Sequence, residues 1–433
     1  MQSKTAGELL ALLAEARERT FALVAPLSDE DLRTQHDPLM SPLLWDIGHI
    51  AHFEELWLTQ NLDGEIRFAE MPGMYNPFEH PRRVRGQLVY PSLDECWAIM
   101  TEIRQRVAAK LESLDWRTDN PLLRDGYVGH MVLQHEYQHN ETMLQTLQLK
   151  RGAPFPAPRR HVIPVTATPP AWGAMVQFGG GDVTIGTDDR QVAYDNERPR
   201  HQLTVQPFRI DVAPVRNGEY WLFMRDGGYE RSEFWSDEGW KWVQEFGVDS
   251  PKYWSQMQGQ WYWRTLDLMR PVDPERPVCH VCYHEADAYA RWAHKRLPTE
   301  IEWEVAASWD PATGSARTYP WGERPPSPAI ANIDQLYFDT SPVGAYAANR
   351  SALGCVDMIG NVWEWTSSDF CGYPGFQAFP YPEYSEVFFG AEYKVLRGGS
   401  WATRSGAVRN TFRNWDYPIR RQIFSGFRCA SDD

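Results

Sequence analysis

Residues 135–139 read HEYQH, inside the longer run MVLQHEYQHNETMLQTLQLK (131–150). Apolar residues recur there at helical spacing, so the run predicts a helix, and histidines at i and i+4 leave the same face of it. H-E-x-x-H on a helix is also the pattern of zinc proteases, in which both histidines bind the metal and the glutamate is the general base. Such a protease takes a third ligand downstream, a glycine-spaced histidine or a glutamate on a following helix. Here the chain continues NETMLQTLQLKRGAPFP, without that histidine, and Glu141 lies too close to return as a ligand. The protease reading is therefore the minor one.

Upstream, SPLLWDIGHIAHFEELWL is amphipathic and sets His49 in a stripe with Trp45 and Phe53; His52 shares much of that face and is the rival ligand. Four helices are expected in the first 150 residues, over about 5–24, 41–61, 92–114 and 125–150, which fits an up-down bundle. Ser41-Pro42 and Ser92 are good helix starts. Bundle metal sites are built from facing helices, so one histidine of the second helix and two of the fourth would make a three-histidine site with open positions, as catalysis requires. Imidazole suits zinc, copper, iron or nickel alike. His130, five residues before His135, points elsewhere.

The connection between the second and third helices is about thirty residues long, and loops of that length tend to be functional or disordered. It ends in HPRRVRGQ. A proline-rich stretch, APFPAPRRHVIPVTATPPAW, then breaks the periodicity and reads as a linker. Beyond it, short β-type runs (VTIGT, HQLTVQPFRIDV, YKVLRGGSW) alternate with turn residues and short helices, of which LPTEIEWEVAAS opens on a Thr299/Glu302 capping box. The expected organisation is α+β in two domains: 1–152 a four-helix bundle with the metal ligands, 153–172 the linker, and 173–433 an irregular, turn-rich α+β domain. The twenty tryptophans lie mostly from Trp221 onward, which marks the second half as different in kind.

A net charge of −15 over 433 residues argues against non-specific nucleic-acid binding. No apolar run is long enough to span a bilayer, and the N-terminal apolar stretch is broken by charges unlike a signal peptide. Six scattered cysteines do not form a secreted disulfide framework. These features point to a cytoplasmic enzyme, with the oligomeric state open.

WDIGHI, HPRRVR, HEYQHNETM, GNVWEW, LRGGSW and FRNWDYPIRRQIFSGFR, in this order, resemble the sulfoxide synthases of ergothioneine biosynthesis (the EgtB family) over nearly the whole chain. The first half resembles DinB-like four-helix bundles. The second resembles the domain of formylglycine-generating enzymes and sulfatase-modifying factors, a C-type-lectin-like fold expected to complete the active site. The resemblance implies a non-haem Fe(II) enzyme that uses O2 to join γ-glutamylcysteine, or cysteine, to hercynine (Nα-trimethylhistidine), leaving a sulfoxide. Forming the C–S and S–O bonds removes four electrons from the two substrates, which accounts for one O2 without nicotinamide or flavin. The absence of a Rossmann-type glycine fingerprint agrees.

Carried over residue by residue, the resemblance implies that His49, His135 and His139 hold the iron and that Gln138 hydrogen-bonds the hercynine imidazole. Arg82 and Arg85 would grip substrate carboxylates, a task that suits guanidinium forks. Asp416 and Arg420 would read the amino and carboxylate groups of the thiol donor. Asn414, Trp415 and Tyr384 would contact hercynine, whose trimethylammonium suits aromatic faces. Tyr381 would be the catalytic phenol, protonated at neutral pH and able to donate. Tyr373, Tyr75 and Tyr90 are the other candidate tyrosines. GNVWEWTSS and ANIDQLYFD resemble structural calcium loops, with Asn361, Glu364 and Asp339 as candidate donors.

Two other readings compete. Formylglycine-generating oxidases depend on a cysteine pair in the stretch that here reads RNTFRNW, where no cysteine stands. A non-catalytic lectin-like binding protein would have no use for three histidines and two arginines. The isolated VCHVC (278–282) and Cys429 read as structural thiols.

Overall fold

The computed structural model describes residues 6–432 apart from 117, 160 and 161. The chain forms two compact units, one of residues 1–156 with 189–192, the other of 157–188 with 193–433. No helix among the described residues is long and apolar enough to cross a membrane.

The first unit is the expected four-helix bundle, with long helices Ala6–Val24, Leu43–Glu55, Leu93–Ser113 and Tyr127–Leu149. The first helix packs against the fourth, and the second against both the third and the fourth. On the first helix the buried positions Leu9, Leu13, Ala16, Thr20 and Leu23 follow helical spacing, so one stripe enters the core. Gly129 permits its crossing with the fourth helix, since a Cβ there would lie 2.2 Å from a Leu9 methyl. Ser92 starts the third helix through a capping box with Glu95. The second helix starts two residues after Ser41, at Leu43 behind Pro42, and runs on into a π turn over Leu56–Gln60. The long connection is not structureless: Met71–Tyr75 and Arg82–Arg85 each form a short helix.

The second unit is the expected irregular α+β domain. Strands Met175–Phe178 and Ala430–Asp432 flank Phe208–Asp211 in one antiparallel sheet, so the ends of the unit close on a common strand. A four-stranded sheet runs Asn414–Asp416, Gly390–Arg397, Trp363–Phe370, Ser425–Gly426, its last pair parallel. Helix Glu300–Ser308 has the expected Thr299/Glu302 box and buries Trp303, whose indole N–H donates to Glu364 over 2.8 Å. Ion pairs replace apolar contacts at several buried points: Arg413 grips Glu300 with two N–H groups at 2.8 and 2.7 Å, and Arg428 grips Glu364 at 2.6 and 2.8 Å.

The same kind of pairing engages the donors expected in calcium loops. Both Glu364 oxygens are engaged by Arg428, one of them also by Trp303, and Asp339 pairs with Arg270 at 2.5 Å. Asn361 Oδ1 accepts from the Ser341 amide over 2.8 Å. Two of the three expected donors, Glu364 and Asp339, are thus paired with arginines in this structure.

The candidate metal centre and the substrate residues

The fourth helix places His135 and His139 on one face, and the second helix brings His49 against them. Their ligand atoms all lie within 4.8 Å of one another, the one such cluster among the described residues. His49 is buried; His135 and His139 are partly accessible. The rival, His52, is half-buried and outside the cluster.

Each ring is held from behind. His49 Nδ1 donates to the Tyr75 carbonyl over 2.8 Å, which turns the lone pair of Nε2 toward His135 Nε2, 3.2 Å away. His139 Nδ1 donates to Asp46 Oδ1 over 3.0 Å, so its Nε2 is likewise the lone-pair nitrogen. Phe53 stacks on His135 with centroids 3.7 Å apart, and Trp45 stacks on His49 at 4.6 Å. Burial first, then the neighbouring histidines, pushes the His49 and His135 imidazoles well below their ordinary range, so both are neutral at pH 7. Three imidazoles, one backed by a carboxylate, fit a divalent transition metal.

Glu136, the would-be base, is turned away into the bundle. Arg17 Nε donates to it over 2.9 Å and the Thr20 hydroxyl over 2.7 Å, while Arg17 also binds Glu54 at 2.6 Å and Arg104 binds Glu54 at 2.6 Å. It is a structural anion.

Gln138 is half-buried on the turn between the two histidines. Arg82 is exposed, whereas Arg85 is buried, its Nε donating to the His80 carbonyl over 2.7 Å and Nη1 to Ser41 over 2.8 Å. The Arg85 guanidinium lies 3.5 Å over the Trp45 ring, so Arg85, Trp45 and His49 form one stack. Burial and the nearby Arg82 push Arg85 down to about 10, still protonated at neutral pH. The expected arginine pair is thus unequal, one member fixed and one at the surface. Tyr75 and Tyr90 are buried, and burial pushes both phenols up; Tyr90 donates to the Arg85 carbonyl.

In the second unit, Tyr381 and Tyr384 are half-buried with ring centroids 6.2 Å apart. Tyr384 stacks on Tyr194 at 4.3 Å and meets Trp415 edge-on at 6.2 Å. Asn414, Trp415 and Asp416 form an edge strand, with Trp415 stacked on Phe370 at 4.0 Å. Asp416 faces Arg420 at 3.4 Å. The tyrosine pair and the NWD strand therefore come together through Tyr384 and Trp415. Tyr373 is buried against Glu304, an unsuitable place for a phenol that must meet substrate. Cys279, Cys282, Cys355 and Cys429 are buried, free and pushed up by burial, as structural thiols are; only Cys371 of the six is exposed.

Sequence reasoning missed Asp46 and Tyr75 as supports of the histidines. Asp46 stood three residues before His49 in WDIGH, at a spacing that shares its helix face, and could have been found. Tyr75 acts through its carbonyl, which leaves no mark on side-chain pattern.

The profile of the DinB superfamily matches residues 12–143, and that of the sulfatase-modifying factor enzyme 1-like domain matches 163–433. A hercynine oxygenase of Mycobacterium tuberculosis is 44% identical over 99% of this chain and 100% of that protein. One from Mycolicibacterium thermoresistibile is 43% identical over 98% of this chain and 95% of that protein. The inactive C-alpha-formylglycine-generating enzyme 2 of Bos taurus is 33% identical over 59% of this chain and 87% of that protein.

Proposed function

The chain belongs to the hercynine oxygenase family, and from that premise we propose that it is an iron(II)-dependent sulfoxide synthase joining γ-glutamylcysteine, or cysteine, to hercynine with O2. The observation that carries the reading is the three-histidine cluster on two facing helices, in a chain similar to hercynine oxygenases over nearly its whole length. Thiol, imidazole C–H and O2 become a C–S bond, an S–O bond and water, so the electrons balance without a further reductant. Bound through His49, His135 and His139, iron would supply the open coordination and redox chemistry for this coupling.

The remaining roles fall to the chain's own groups. Gln138, one residue before His139, hydrogen-bonds the hercynine imidazole. Trp415, Tyr384 and Asn414 receive its trimethylammonium end, where aromatic faces replace hydrogen bonds. Arg85, oriented by His80 and Ser41, and Arg82 take substrate carboxylates. Asp416 and Arg420 exchange their mutual 3.4 Å contact for the ammonium and carboxylate of the thiol donor. Tyr381 delivers a proton from its phenol.

The test is anaerobic loading with Fe(II), then addition of O2 with hercynine and either γ-glutamylcysteine or cysteine. The expected product is the hercynyl conjugate sulfoxide, identified by mass. Stoichiometric iron without a conjugate from either thiol would overturn the reading.

A further inference from the structure

Nothing in the sequence patterns drew attention to YDNE (194–197), yet this segment meets both groups of substrate residues in the second unit. Asp195 holds the tyrosine loop at its two ends. Its Oδ2 accepts from the Phe379 amide over 3.1 Å, and its Oδ1 accepts from the Ser385 hydroxyl over 2.5 Å. Asn196 Nδ2 donates to that same Ser385 hydroxyl over 3.0 Å, so the hydroxyl's direction is fixed. Between those two ends lie Tyr381 and Tyr384, and Tyr384 stacks on Tyr194. Asp195, Asn196 and Ser385 are all essentially solvent-free. On the other side, the Asn196 carbonyl accepts from Arg413 over 2.7 Å, and Glu197 accepts from Arg409 at 2.7 Å and Thr411 at 2.7 Å. The chain then enters Asn414–Asp416 directly.

We propose that Tyr194–Glu197 is a clip that sets the spacing between the tyrosine loop and the NWD strand, with Asp195 as the positioning residue for Tyr381 and Tyr384. The loop is short and carries its own turn of 3-10 helix over Pro382–Tyr384, so fixing its two ends fixes the phenols between them. An apolar residue in place of Asp195 would leave a part-buried amide and a buried hydroxyl without an acceptor, and the loop would leave its seat to satisfy them. A donor phenol displaced by an ångström loses most of its use, since proton transfer needs hydrogen-bond distance.

The inference rests on the role given to Tyr381, and the experiment separates the two. Asp195→Ala, Asp195→Asn, Ser385→Ala and Tyr381→Phe are each loaded with Fe(II) and compared in sulfoxide formed per O2 consumed. Amide hydrogen exchange over residues 379–389 is measured in the same proteins. Asp195→Ala is expected to raise exchange in that loop selectively and to lower the yield in the direction of Tyr381→Phe, with turnover down about tenfold. Asp195→Asn, which keeps an acceptor, should restore most of the yield. Ser385→Ala should show a smaller effect and serves if Asp195→Ala does not fold. Unchanged loop exchange in the Asp195 and Ser385 variants would overturn the clip. Faster loop exchange with an unchanged yield, while Tyr381→Phe lowers it, would overturn positioning but leave Tyr381 in place. An unchanged yield in Tyr381→Phe would overturn the phenol's role, and with it the positioning role of Asp195.

Discussion

Arg17 Nε donates to the carboxylate of Glu136 over 2.9 Å in the interior of the bundle, next to the helix face that presents His135. A base that must meet water or substrate cannot be held this way. Glu136→Ala should therefore lower stability, by about 3 kcal/mol for a broken buried pair, while the folded protein still binds one metal ion. Chemical denaturation and metal stoichiometry check this. A fully stable variant that has lost its metal would mean Glu136 serves the site directly.

His49→Ala, His135→Ala and His139→Ala should each abolish tight metal binding, whereas His52→Ala should retain it. Equilibrium dialysis against Fe(II) or Co(II) distinguishes them. Robust binding in His49→Ala would transfer the ligand role to His52.

Asp46 fixes the ring of His139 through Nδ1, and its Oδ2 has no hydrogen-bond partner among the described residues. Asp46→Ala should weaken metal affinity by about 10–100-fold, the usual cost of removing such a support, and Asp46→Asn should cost less because it keeps an acceptor. Competition with a chelator gives the affinities. Equal losses in both variants would mean charge rather than orientation is what matters.

Asp416→Asn should lower the selectivity for γ-glutamylcysteine over cysteine, measured as the ratio of kcat/KM values. Under the proposed function, the mutation removes the negative partner for the donor's ammonium while leaving Arg420. An unchanged ratio would place donor recognition elsewhere.

Burial raises the Asp357 carboxyl to about 6, although the Gly344 amide donates to it over 2.8 Å. The folded state then binds this proton more tightly than the unfolded chain, so stability falls as pH rises from the unfolded value near 4 through about 6. The span is worth about 3 kcal/mol at most. Asp357→Asn should flatten the fall, which denaturation midpoints between pH 4 and pH 7 would show. Parallel profiles in the two proteins would assign the dependence to other groups.

The legible part of the site was the part written in local periodicity. His135 and His139 share a face because of their spacing alone, and the stripe of Trp45, His49 and Phe53 picked out His49 over His52. Ser92 and Thr299 announced helix starts because a capping box is complete within four residues. Arg82 and Arg85 looked equivalent in HPRRVR, yet a single short helical turn buries one under Trp45 and leaves the other in water. The donors of the expected calcium loops show a related limit. Oxygen-rich loops look alike in sequence whether a cation or an arginine balances them, and Arg428 lies 64 positions from Glu364.

By itself, then, the sequence determined a helical bundle, a turn-rich second half, the three histidines and the family. Those properties depend on spacings within a few turns of helix, or on the order of short motifs along the chain. Tertiary structure alone decided that Glu136 pairs with Arg17, 119 positions away, and that Asp195 closes on Ser385, 190 positions away. Buried charges and hydroxyls must find partners wherever folding places them, and no local pattern records which partner that will be.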